Sequence, residues 1–232
     1  MPENSTKKPP MTPGPELKNR PWSLARFLPK AHWTPGYVVS RIGRAWYERR
    51  NPDAPWLSPG MISFLSDWLR PSDVVVEFGS GRSTIWFARR VARVVSCEHD
   101  AQWHGAVSER IRRQNLANVE YHLPQGELTP ESYLAPVVAL APGSVDVVLI
   151  DGSFRDRCAT WAVRGVRPGG AILIDNVNWY LPHATRSPAS VGANGAPVSE
   201  EWARFVELTR GWRSFWVSDG ITDTACWFAP PT

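Results

Sequence analysis

Four apolar runs in this chain meet an acid at or beside their ends. Val74–Phe78 contains Glu77, residues 94–97 run into Glu98, Val145–Ile150 runs into Asp151, and residues 171–174 run into Asp175. Helix-spaced stripes separate them: Ile85, Ala88, Val91 and Ala92, then Trp103, Val107 and Ile111 behind Asp100 as N-cap, then Cys158, Ala162 and Val166. Residues 118–123 alternate as a further strand. Continuous apolar strands between amphipathic helices are buried on both faces, which is the pattern of a parallel sheet. Such a sheet takes its ligand at the carboxyl ends of the strands, where the acids stand.

The chain closes differently. After Asn176 comes a loop of about twenty residues rich in Pro, Ser and Gly, a length typical of lids and binding loops. Ser199 with Glu200 and Glu201 opens a helix through Trp202, Phe205 and Val206. Two last strands flank an Asp219-Gly220 turn, a hairpin signal, so this end of the sheet is expected to be antiparallel.

Upstream the organisation is looser. Residues 1–20 hold Pro2, Pro9, Pro10, Pro13 and Pro15 among polar residues and are expected to be a disordered tail. Residues 21–56 form an N-terminal helical extension, with Val38, Ile42, Ala45 and Trp46 at helical spacing and Asn51-Pro52 as its end. It is expected to pack on the main domain or line its cleft, and it offers a surface for a homodimer. The main domain is expected over 57–232, opened by a helix through Met61, Phe64, Leu65, Trp68 and Leu69.

Hydrophobic content of 43% and charged content of 21% are globular values. No apolar run is long enough for a membrane span, and no apolar core follows the N-terminal charges, so the expected location is the cytoplasm. Cys97, Cys158 and Cys226 lack metal-ligand spacing and read as core residues. The net charge of +4 is spread along the chain without an arginine-rich stripe, so nucleic acid is not the expected partner.

The turn Glu77-Phe78-Gly79-Ser80-Gly81 decides the ligand. A phosphate loop needs a lysine that G-S-G-R-S-T lacks. A dinucleotide fingerprint wants glycine where Thr84 stands, and Glu77 would oppose a pyrophosphate. A carboxylate there suits an ammonium instead. Glu98, about 20 residues beyond the first glycine, is where an acid can hold both ribose hydroxyls. A ribose, an amino-acid ammonium and no phosphate describe S-adenosylmethionine.

Residues 73–176 accordingly resemble the core of a class I S-adenosylmethionine-dependent methyltransferase. The motifs are E-F-G-S-G, S-C-E-H-D, V-D-V-V-L-I-D-G and R-P-G-G-A-I-L-I-D-N. The resemblance implies an α/β Rossmann-like fold, seven-stranded and mostly parallel with an antiparallel C-terminal hairpin and helices on both faces. It also implies that Glu77, Gly79 and Gly81 frame the methionine part, that Ser83 and Thr84 meet its carboxylate, and that Glu98 binds the ribose.

For the acceptor, the sequence disfavours amino groups of bases, because I-D-G-S-F follows the fourth strand in place of [DN]-P-P-[FYW]. Asp151, Asp175 and Asn176 stand at neighbouring strand ends. This is similar to the divalent-metal site of the catechol and caffeoyl-coenzyme A O-methyltransferases, and implies Mg²⁺ on those three residues. Without a metal, His183 in the long loop is the expected general base, with Asp151 touching cofactor or substrate. The expected reaction is methyl transfer to a hydroxyl of a small molecule such as a sugar or secondary metabolite. Methylation of RNA or protein, and a catalytically inactive methyltransferase-like binding subunit, are the alternatives.

Overall fold

The computed structural model describes residues 34–231; the expected Pro-rich tail and the start of the extension lie outside the described residues. Seven strands form one sheet: β1 (Val74–Phe78), β2 (Arg93–Cys97), β3 (Val119–His122), β4 (Val145–Ile150), β5 (Val166–Asp175), β6 (Arg213–Ser218) and β7 (Asp223–Phe228). Their order is β3-β2-β1-β4-β5-β7-β6. The pairs among β1 to β5 are parallel, and β7 runs antiparallel to both β5 and β6. This is the expected Rossmann-like methyltransferase fold with its C-terminal hairpin.

Among the described residues seven α-helices accompany the sheet: α1 (Pro35–Arg50), α2 (Pro59–Trp68), α3 (Arg82–Ala88), α4 (Ala101–Arg113), α5 (Pro130–Val138), α6 (Arg155–Gly165) and α7 (Glu200–Leu208). From Thr34 onward the chain is one compact unit. The period-two alternation of the strands divides its core in two. Val76, Phe78, Val148, Ile150, Ile172 and Ile174 face α5, α6 and α7 through Tyr133, Ala162 and Trp202. Val75, Val147, Leu149 and Leu173 face α2 and α3 through Met61, Leu65, Trp86 and Phe87. Both faces are therefore covered, which leaves the strand ends for chemistry.

Several local expectations are corrected. Helix α3 stops at Ala88, and Val91 is buried in the turn beyond it. Strand β5 begins at Val166, so Pro168-Gly169-Gly170 lies within its span and not before it; the register against β4 shifts there. Helix α5 was not foreseen, although Thr129 and Ser132 cap it reciprocally with Pro130 at its first position. Helix α1 forms, but the apolar stripe faces outward: Val38, Ile42 and Trp46 are exposed, and no residue of the helix is buried. Its half-buried side carries Tyr37, Ser40, Arg44 and Tyr47. The reason is an acid: Arg44 turns inward to Asp219 in the β6–β7 turn.

Candidate active site

The turn after β1 and the turn after β4 touch backbone to backbone. Gly79 has φ +92°, and a Cβ there would stand 2.6 Å from the Gly152 nitrogen. The Asp151 N–H donates to the Phe78 carbonyl at 2.8 Å, which locks the two strand ends together. Ser80 is tied on three sides. Its N–H and hydroxyl donate to Glu98 Oε2 at 3.0 and 2.8 Å, its hydroxyl lies 2.6 Å from the Tyr121 hydroxyl, and its carbonyl accepts from Trp103 Nε1 at 2.8 Å. The glycine turn is thus a rigid platform joining β1, β2 and β4.

Glu77 is fully buried. Its Oε2 accepts from the hydroxyls of Thr84 at 2.5 Å and Ser96 at 2.7 Å, while Oε1 has no partner. Burial pushes this carboxyl up to about 7, partly offset by the hydroxyls of Ser83, Thr84 and Ser96, of which Ser83 makes no hydrogen bond to Oε1. An unpartnered buried acceptor is costly, and an ammonium would satisfy it. Among the residues expected to touch the cofactor, Thr84 spends its hydroxyl inward on Glu77 and on the Gly81 N–H. The Phe78 side chain lies in the core against Tyr133 and Trp161. Ser83 is half-buried at the start of α3.

Glu98 ends β2 with both oxygens engaged. Besides Ser80 on Oε2, the N–H groups of His99 and Asp100 donate to Oε1 at 2.8 and 2.9 Å, and His99 Nδ1 lies 3.0 Å from it. Burial alone would raise this carboxyl, but the hydrogen bonds from His99, Asp100 and Ser80 outweigh it and hold it at about 2.

Asp151, Asp175 and Asn176 come together as expected, with a residue between them that sequence reasoning missed. Arg155, the first residue of α6, is buried and spreads its guanidinium over this corner. Nε donates to the Gly152 carbonyl at 3.0 Å. Nη2 donates to the Asp151 carbonyl and to Asp151 Oδ1, both at 2.8 Å. Nη1 donates to the Asp175 carbonyl and, at 3.3 Å, to Asn176 Oδ1. Asp175 Oδ1 accepts from the Thr224 hydroxyl at 2.5 Å, and Asn176 Nδ2 donates to the Thr222 hydroxyl. Burial pushes both carboxyls up: at Asp151 against the pull of Arg155, at Asp175 with Asp151 adding to the rise. A hard divalent cation needs open oxygen ligands at about 2.1 Å. Here the guanidinium already takes Asp151 Oδ1 and Asn176 Oδ1, and a second cation beside it would be repelled. The three residues do not fit Mg²⁺ as they are arranged. Among the described residues no cluster of His, Cys, Asp and Glu suits a metal. The sequence did hold a signal for Arg155, since a cation in the first turn of a helix opposes its dipole and calls for an acid.

His183 lines a cavity of about 300 Å³ with Thr185, Arg186, Trp216, Ser218 and Asp223. Its ring stacks on Trp216 at 4.0 Å. The cavity belongs to the same edge of the sheet as the acids, because Asp223 opens β7 and the next residue, Thr224, pairs with Asp175. A larger cavity of about 540 Å³, bordered by Leu134, Trp161 and Leu208, lies in the groove of α5, α6 and α7. None of the motif acids lines it.

The class defined by this arrangement is the methyltransferase fold: a parallel sheet with an antiparallel closing hairpin, a glycine turn after β1, and acids at the ends of β2, β4 and β5. Residues 76–177 match a family described as a methyltransferase domain. Over 110 residues the chain is 32% identical to a catechol O-methyltransferase of Mycobacterium tuberculosis, covering 44% of this chain and 47% of that protein. The chain thus aligns with about half the length of that curated relative. An O-methyltransferase from Bacillus cereus solved in complex with SAH superposes with a TM-score of 0.54 at 21% identity, covering 88% of this chain and 94% of that one. A methyltransferase from Geobacter sulfurreducens gives 0.51 at 16%, covering 89% and 93%. Among the described residues no helix is long and apolar enough to cross a membrane.

Proposed function

We propose that this chain is an S-adenosylmethionine-dependent methyltransferase that methylates a hydroxyl group of a small molecule. The observation that carries the reading is Glu77 Oε1, buried and unpartnered beside the Gly79-Ser80-Gly81 turn, with Glu98 at the adjacent strand end. Glu77 would take the ammonium, the bare glycine turn would admit the methionine part, and Glu98 would accept from the ribose hydroxyls in exchange for the Ser80 hydroxyl. The cofactor supplies an electrophilic methyl on a sulfonium sulfur.

The rest falls to the chain's own groups. Asp151 is half-buried and adjoins the glycine turn, so its carboxylate is positioned to take the proton of an acceptor hydroxyl as the oxygen–carbon bond forms. Burial raises its pKa against the pull of Arg155, which makes it a stronger proton acceptor than an exposed carboxylate. His183 and Trp216 supply a flat wall to the neighbouring cavity, which suits a ring-bearing acceptor. The likeness to O-methyltransferases supports oxygen as the nucleophile.

Calorimetry of S-adenosylmethionine binding to wild type and Glu98→Ala tests the reading. Micromolar binding that Glu98→Ala abolishes is the expected result, followed by formation of demethylated cofactor in a screen of hydroxylated small molecules. Failure of the wild type to bind would remove the proposal.

A further inference from the structure

We infer that Arg155 stands in place of a divalent cation, so that the corner formed by Asp151, Asp175 and Asn176 is closed to metal and any methyl transfer here needs none. The inference deepens the methyltransferase reading, since the metal corner is what that reading would otherwise carry over from catechol O-methyltransferases.

The geometry is that of a built-in clamp. A guanidinium has five N–H bonds in one plane. Arg155 has five acceptors around it: the carbonyls of Asp151, Gly152 and Asp175, Asp151 Oδ1 and Asn176 Oδ1. Three of these are carbonyls from the turns and ends of β4 and β5, where the sheet's own ladder has run out. The chain adopts a disfavoured conformation to achieve this. Phe154, immediately before Arg155, has φ +48°, in the left-handed region that bulky residues avoid. That turn folds the start of α6 back over Asp151, four residues earlier. Asn176 is also left-handed, at φ +51°, which brings its side chain between Arg155 and Thr222.

One oxygen of Asp175 is committed too. Thr224 donates to Asp175 Oδ1, and that hydroxyl in turn is approached by Ser58. A cation would have to displace Arg155 from two oxygens and then sit beside a buried guanidinium. Arg155 itself, with every N–H used, is a positioning residue: it fixes the Asp151 carboxylate and leaves the other Asp151 oxygen for the acceptor.

Mn²⁺ is the probe, because its paramagnetic resonance signal reports binding without turnover. The full-length wild type is expected to leave equimolar Mn²⁺ free, with or without S-adenosylmethionine. Any binding that Asp175→Asn leaves unchanged lies elsewhere and is consistent with a closed corner. Arg155→Ala is expected to raise Mn²⁺ affinity at least tenfold, and Asp175→Asn in that background to abolish the gain. If Arg155→Ala does not fold, Arg155→Lys, which keeps one charge but cannot span five acceptors, is expected to show a smaller gain. One Mn²⁺ per wild-type chain that Asp175→Asn removes would overturn the inference, as would a folded Arg155→Ala with no gain. S-adenosylmethionine calorimetry on the same preparations separates the two ideas: loss of cofactor binding rejects the methyltransferase reading, while the Mn²⁺ titration still decides the state of the corner.

Discussion

Arg44 Nη1 lies 2.6 Å from Asp219 Oδ2, joining α1 to the β6–β7 turn across 175 residues of sequence. Both side chains are mostly buried, and Arg44 also donates to Glu48 one helical turn on. Such a pair escapes most of the screening that weakens surface ion pairs. A double-mutant cycle of Arg44→Ala and Asp219→Ala, followed by urea unfolding, is expected to give a coupling of about 1–2 kcal/mol. A coupling within about 0.3 kcal/mol of zero, the range of many exposed pairs, would show that the latch contributes nothing.

Glu98 should make stability depend on acid. Its folded value of about 2 lies below the 4.5 of an ordinary glutamate, so its contribution is fully present above 4.5 and is lost as pH falls towards 2. Glu98→Gln is expected to cost about 3 kcal/mol at pH 6 and progressively less below pH 4. His99 works in the opposite sense. Its hydrogen bond to Glu98 raises it against the effect of burial, so its contribution is full below 6.5 and is lost as pH rises through the folded value. Glu98→Gln should remove both dependences, giving urea midpoints that vary less between pH 3 and 8 than those of the wild type. Parallel curves for the two proteins would refute the assignment.

Glu77 carries the reverse sign. Its carboxyl sits at about 7 against 4.5, so ionising it costs the folded state nothing below 4.5 and the full amount above 7. Glu77→Gln should therefore raise the melting temperature at pH 8, by an effect of about 3 kcal/mol, and leave it nearly unchanged at pH 4. The same substitution should weaken S-adenosylmethionine at least tenfold, because the amide presents a poorer acceptor to an ammonium. A variant that is stabler yet binds the cofactor as well as wild type would mean Glu77 does not meet the ammonium.

What was legible in the sequence was whatever depends on local pattern. The acids Glu77, Glu98, Asp151 and Asp175 sit where apolar runs stop, the parallel sheet follows from the alternation of strands and helices, and the antiparallel end from the Asp219-Gly220 turn. What was hidden depends on partners distant in sequence. The stripe of α1 reads as an inward face, yet Arg44 turns the helix over because Asp219 lies across the turn. The trio Asp151, Asp175 and Asn176 reads as a metal site, yet residue types at strand ends do not reveal that Arg155 already fills the space among them. Strand β5 runs through Pro-Gly-Gly because the segment after β7 pairs there: the Gly169 N–H donates to the Ala229 carbonyl, and the Ala229 N–H to the Gly170 carbonyl.

Gly152 is the position where a single methyl group should do most harm. A Cβ there would lie 2.2 Å from the Tyr133 hydroxyl oxygen and 2.8 Å from the Gly79 nitrogen. Neither neighbour can retreat. Tyr133 is fully buried, donates to the Cys97 carbonyl at 3.0 Å and packs on Phe78, while Gly79 donates to the same carbonyl at 2.8 Å. Gly152→Ala is therefore expected to destabilise by about 3 kcal/mol or more, from overpacking at a point where two turns cross. Tyr133→Phe alone should cost about 1 kcal/mol, the net worth of one hydrogen bond. The double variant should be more stable than Gly152→Ala, because removing the hydroxyl clears the nearest clash. Urea unfolding of the four proteins measures this directly. A Gly152→Ala protein of wild-type stability, or a double variant worse than the sum of its parts, would show that the β1 and β4 turns do not approach as closely as the cofactor platform requires.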